Sequence, residues 1–172
     1  MSQYIRILNA VRKNIARLPL TKSQAVCRIA ILERLEYPGV VNLFGLHGSG
    51  KTVLGWCLAN EGLMNYVVEP IQLAAVERGT HAVVIDNSGY RRSDYRHILG
   101  DLEYVRVNKA VVITSERIED SVQAFELHCT PDDIHTACEN LAQFGYPIEA
   151  DFPVDLWDML QRIASSLSES KT

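Results

Sequence analysis

Apolar residues recur at Tyr4, Ile7, Leu8, Val11, Ile15 and Leu18, spaced three and four apart, while Arg6, Lys13 and Arg17 fall on another side. That period predicts an amphipathic helix, ended by Pro19. Thr21, followed three positions later by Gln24, makes a capping box that opens a second helix. Its apolar members include Val26, Ile29 and Ala30, and Tyr37-Pro38-Gly39 is its closing turn. Beyond the turn the pattern changes. Residues 40–44 are a short apolar, β-rich run, and a helix is expected over residues 51–60. Residues 66–69 read as a second strand, 71–78 as a helix, and 82–86 as a third strand, apolar until its acidic end. A helix over 91–105, weakened by Gly100, precedes a fourth buried strand at 110–114 and a weaker fifth at 124–129.

Strands that alternate with helices require crossover connections, which makes the sheet parallel and covers both its faces. The expected fold is α/β, three layers with a parallel sheet of about five strands. After the fifth strand the alternation stops. Thr130-Pro131 marks an N-cap and first helical residue, Ile134, Ala137, Leu141 and Phe144 form a stripe, and Gly145 ends it. A last helix begins near Pro153 with Leu156, Trp157, Leu160, Ile163 and Leu167 in its stripe, and residues 165–172 are a polar tail expected to fray.

The chemistry sits between the first strand and the helix after it. Gly45-Leu46-His47-Gly48-Ser49-Gly50-Lys51-Thr52 matches GxxxxGK[ST] in full, in the strand-loop-helix context that motif needs. Glycines let the main chain curl until several N–H groups point inward at a helix N-terminus, whose dipole also favours phosphate. The expected nucleotide-binding set is Gly45, His47, Gly48, Ser49, Gly50, Lys51, Thr52 and Val53, with Lys51 on the β- and γ-phosphates of ATP or GTP. Thr52 and Asp86 are the expected partners of Mg²⁺. Asp86 ends Ala82-Val83-Val84-Ile85, at the strand edge where open α/β sheets bind ligands, so it reads as a Walker B acid.

The next residue departs from hydrolytic proteins of this kind. It is Asn87, which hydrogen-bonds water but cannot take its proton, so slow or absent hydrolysis is expected. Glu69 and Glu116 are alternative bases near strand ends. Thr114-Ser115 ends the fourth strand, placed to sense the γ-phosphate. Arg117 just beyond is the leading candidate for an arginine finger, ahead of Arg91, Arg92 and Arg96.

Composition narrows the setting. The chain has 172 residues, the size of one domain with a real core, and no apolar run near the roughly 20 residues of a membrane span. A cytoplasmic protein without a leader is expected. The four cysteines form no CxxC pair, which favours reduced thiols, although His128, Cys129, His135 and Cys138 crowd together and leave zinc conceivable. A net charge of -4 does not indicate nucleic acid as a partner. Charge is nonetheless uneven: residues 1–36 hold seven basic and two acidic groups (7 − 2 = +5), and residues 116–172 hold three basic and twelve acidic (3 − 12 = −9). Two solvated helical faces explain this, as does self-association or a basic arm for an acidic protein partner.

The order of parts resembles the AAA+ and STAND branch of P-loop ATPases: a helical entry, GLHGSGKT, VVIDN as Walker B, VVITS as sensor strand, and helices after AFELHCTPDD. The resemblance runs from about residue 20 to 165. It implies an ATP-driven conformational switch in a reduced form, divided as an N-terminal helical arm (1–39), a P-loop core (40–129) and a C-terminal helical segment (130–172) acting as a minimal lid, with Arg162 the available lid arginine. Two other classes stay open: a small-molecule or nucleotide kinase, suggested by the acid-and-arginine run from Asp86 to Arg92, and a non-hydrolysing nucleotide-dependent scaffold.

Overall fold

The computed structural model describes residues 3–119, 123–146 and 153–169. Its β-branched runs become five strands: β1 (Gly39–Phe44), β2 (Asn65–Val67), β3 (Ala82–Ile85), β4 (Lys109–Ile113) and β5 (Ala124–Glu126). All pair in parallel, in the order β2-β3-β4-β1-β5. The helices are α1 (Gln3–Lys13), α2 (Lys22–Arg34), α3 (Lys51–Asn60), α4 (Arg92–Val105), α5 (Pro131–Ala142) and α6 (Leu156–Glu169).

Alternation along the strands sorts side chains to the two faces of the sheet. Val41, Leu43, Val84, Val111 and Ile113 pack with Cys27 and Ile31 of α2 and with Leu54 and Leu58 of α3. Val83, Ile85, Ala110 and Val112 pack with Tyr95, Ile98 and Leu102 of α4. The expected three-layer α/β fold is what forms. A separate cluster joins Ile7 and Val11 of α1, Ile134 and Leu141 of α5, and Leu156, Met159 and Ile163 of α6. The first helix therefore lies among the last two.

Several expectations need correction. The helix expected to run to Leu18 ends at Lys13 and continues as a 3-10 turn at Ile15–Arg17, with the Asn14 amide donating to the Ala10 carbonyl at 2.9 Å. The helix expected over 71–78 is a 3-10 turn at Pro70–Ala75; only Leu73 in it is buried, which is too little apolar surface to hold a longer helix. Strand β2 stops at Val67, where the Val68 N–H turns to the Gln72 side chain. In α2 the stripe is misphased by the apolar count: Gln24, Cys27 and Ile31 are buried, whereas Val26 and Ile29 are exposed. The capping box draws Gln24 inward and sets that phase. Residues 170–172 of the tail lie outside the described residues. Among those described, no helix is long and apolar enough to cross a membrane.

Candidate functional site

The turn from β1 into α3 is built on glycine. Gly45 has φ of 146°, and a Cβ there would lie 2.5 Å from the Leu127 carbonyl oxygen; Gly48 has φ of 79°, and its Cβ would lie 3.0 Å from the Asp155 carboxyl carbon and the Trp157 N. No side chain fits either place. Helices α2 and α5 begin with Thr21 and Thr130 in full capping boxes, but α3 begins on Gly50 with no side-chain cap. Its first-turn amides thus lack a side-chain cap at the positive end of the helix dipole, where an anion is favoured.

Lys51 is folded back over this loop. Its ammonium donates to the carbonyls of Gly45 (2.6 Å) and Leu46 (2.7 Å) and to Ser49 Oγ (3.2 Å). Burial pushes its pKa down, and the Asp86 carboxylate opposes that shift. Behind the loop, the Gln24 side chain makes two bonds: Oε1 accepts from Thr21 N (3.0 Å), and Nε2 donates to the Gly50 carbonyl (3.1 Å). A residue legible only as half of a capping box thus ties α2 to the glycine-rich turn.

Asp86 follows β3 and is 3% exposed. Its Oδ2 accepts from the Tyr66 hydroxyl at 2.5 Å and its Oδ1 from Asn87 N at 2.8 Å. Burial first, and then the adjacent Asp86 charge, hold the Tyr66 pKa well above the ordinary phenol value, so the hydroxyl keeps its proton and donates it. Asn87 sits at φ of 48° with its amide donating to the Val68 carbonyl at 3.1 Å. Asparagine tolerates that left-handed backbone better than a glutamate does, which gives the departure from an acid a local cause.

The sheet order places β4 between β1 and β3, so Thr114 and Ser115 lie between loop and Asp86. The Thr114 hydroxyl accepts from Asn42 Nδ2 at 2.8 Å and donates to the Glu116 carbonyl at 2.6 Å. Asn42, fully buried in β1, also bonds the Val112 carbonyl and accepts from Ile118 N at 2.9 Å. Thr114 is engaged in shaping the exit of β4, and it and the neighbouring Ser115 both line the open space.

That space is a cavity of about 580 Å³. On the sheet side it is lined by Lys51, Thr52, Asp86, Asn87 and Ser115, with His47, Gly48, Gly50 and Val53 around the loop. Opposite stand Tyr4, Leu8 and Arg12 of α1 and Leu156, Trp157 and Leu160 of α6. The Leu156 N–H donates to the Gly48 carbonyl at 3.2 Å, so α6 starts directly on the loop. An apolar pocket of about 80 Å³, lined by Leu18, Leu20, Val53, Ala137, Leu141 and Met159 among others, adjoins it.

Other expected residues lie elsewhere. Arg117, Glu69, Glu116, Arg91, Arg92 and Arg96 are exposed and do not line the cavity. Arg162 bridges Asp158 along α6 at 2.9 Å. The zinc alternative finds no cluster: His128 pairs with Glu126, His135 with Glu139, the Cys138 sulfur lies 3.7 Å from that of Met159, and no group of three metal-ligating side chains converges among the described residues. The four cysteines are free, and burial pushes the Cys57 thiol up to about 11, helped by Glu61.

Solved structures of known proteins share this architecture. DnaA from Aquifex aeolicus with bound AMPPCP aligns at a TM-score of 0.57, with 13% identity, over 91% of this chain and 64% of that one. The three-layer α/β fold of this chain is shared with that DnaA structure. A DNA replication initiation factor gives a TM-score of 0.57 and 15% identity over 91% of this chain and 63% of its own. This chain thus spans less than two thirds of either structure. No protein-family model and no curated protein matches the sequence.

Proposed function

We propose that this protein binds a nucleoside triphosphate, ATP or GTP, with Mg²⁺, and serves as a small AAA+/STAND-like conformational switch with weak hydrolysis, acting in the cytoplasm through a protein partner. The observation that carries the reading is the uncapped start of α3, overhung by the Lys51 ammonium and opening on a 580 Å³ cavity across from Asp86. An incoming phosphate exchanges the loop carbonyls for its own oxygens on Lys51, and the α3 amides gain the acceptor that no side chain provides. The AMPPCP held by the DnaA structure is a ligand of this class. The apolar pocket beside Val53 suits the base, with the helices beyond residue 130 folding over it as a lid.

Thr52 and Asp86 offer hard oxygen donors on one cavity, a set that suits Mg²⁺. The metal would neutralise phosphate charge. Each oxygen of Asp86 already accepts one hydrogen bond and keeps a further lone pair, which suits a water-mediated contact. Slow hydrolysis is the reading the lining favours: among the described residues Asp86 is the one carboxylate in it, and it is bonded to Tyr66.

The kinase reading fits the geometry less well. Residues 61–81 hold only β2 and one 3-10 turn, which leaves no acceptor-binding subdomain. The test incubates purified protein with ATP or GTP and Mg²⁺ and follows bound nucleotide, released phosphate and mass together. Saturable binding is expected, with phosphate release well below about 1 s⁻¹. Turnover that appears only with an added phosphate acceptor would replace the switch with a kinase, and no binding of either nucleotide would remove the reading altogether.

A further inference from the structure

Arg12 has no ion pair among the described residues, yet it faces the phosphate site. It lies on α1, whose apolar side is buried against α5 and α6, and its guanidinium stands 5.8 Å from the ring centre of Trp56 and 5.7 Å from that of Tyr66. Those rings hold it over the cavity: Trp56 and Tyr66 both line it, and the Tyr66 hydroxyl bonds Asp86. Trp56 and Tyr66 are themselves packed edge to face, with ring centres 6.4 Å apart. Among the described residues Arg12 is, besides Lys51, the one lysine or arginine lining this space, and each arginine expected from the sequence lies outside it.

We propose that Arg12 is the specificity-determining residue that distinguishes a nucleoside triphosphate from a diphosphate, by placing its guanidinium on the terminal phosphate. The proposal rests on the nucleotide-binding reading and says which residue senses the last phosphate. The charge count supports it. Among the described lining residues, Lys51 and Arg12 against Asp86 leave one positive charge in excess, and a guanidinium held over two rings loses little further freedom when it gains a phosphate partner. The position matters as much as the charge. Because α1 packs with α5 and α6, a contact from Arg12 to the terminal phosphate fastens all three helices over the nucleotide, and loss of that phosphate releases them.

Equilibrium binding of ATP and of ADP, each with Mg²⁺, tests this on the full chain as parent, Arg12→Gln, Arg12→Lys and Lys51→Ala. Arg12→Gln is expected to weaken ATP about tenfold and ADP by less than about twofold, the scale of one charge-assisted hydrogen bond. Arg12→Lys, which keeps the charge, is expected to restore part of the preference for ATP. Equal weakening of both nucleotides by Arg12→Gln, no weakening of either, or no restoration by lysine would overturn the assignment. Lys51→Ala separates the two ideas: unchanged affinity for both nucleotides in that protein contradicts the nucleotide-binding reading itself, whereas its loss of both beside an indifferent Arg12→Gln contradicts only the role given to Arg12.

Discussion

Single residues in this protein answer to partners far along the chain. Asn42 is a polar residue in an otherwise apolar strand, and its three hydrogen bonds fix the exit of β4 beside the site. Replacing it with leucine removes the acceptor of the Ile118 N–H and the amide donor to the Thr114 hydroxyl. Asn42→Leu is expected to lose about 2 kcal/mol of stability in urea unfolding, and a loss below about 0.5 kcal/mol would show that the bonds are replaceable. Asn87 combines a left-handed backbone with a side-chain bond to Val68. Asn87→Glu is therefore expected to do two things: lower stability by about 1 kcal/mol, and raise phosphate release above the parent by supplying a carboxylate. A parent that already releases phosphate at ordinary ATPase rates would contradict this account of Asn87.

At the level of elements, helix starts decide the architecture. Two of them are sealed by threonine boxes, and the box of α5 does double duty: Asp133, 2% exposed, accepts from Ser23 N (3.0 Å) and Ser23 Oγ (2.6 Å) of α2 as well as from Thr130 N and Oγ1. Burial pushes the Asp133 pKa up, but the four hydrogen bonds outweigh it and hold the carboxyl far below the ordinary range. A carboxyl whose folded pKa lies below its unfolded value of about 3.9 stabilises fully above that pH, and the contribution is lost as pH falls from there toward the folded value. Melting temperatures measured from pH 6 down to pH 2.5 are expected to fall more steeply in the parent than in Asp133→Asn below about pH 4. Parallel curves would show that the carboxylate does not link the helices.

Taken whole, the molecule is a sheet whose strand ends meet helices drawn from both ends of the chain. The fold class was legible because period and run length are local properties, and the loop from Gly45 to Thr52 because its glycines, lysine and threonine are contiguous. Asp86 was legible as the end of an apolar strand. The long-range pairings were not. Nothing local says that Tyr66 donates to Asp86, that Gln24 holds Gly50, or that Thr114 is engaged by Asn42. Arg12 carried no signal of its own in the sequence, because periodicity gives a helix a buried side without naming the helices it is buried against. The exposed Val26 and Ile29 show the converse: an apolar residue in a helix need not lie on its buried side.

The central claim is that the amides at the start of α3, with the Lys51 ammonium, grip a triphosphate. Backbone amide resonances of residues 48–52, followed by NMR as ATP and Mg²⁺ are added to the parent and to Lys51→Ala, report on that grip directly. Saturable shifts centred on Gly48, Gly50, Lys51 and Thr52 in the parent, absent from a folded Lys51→Ala protein, are the predicted result. Resonances that stay in place at millimolar ATP, or shift with equal affinity in both proteins, would contradict it.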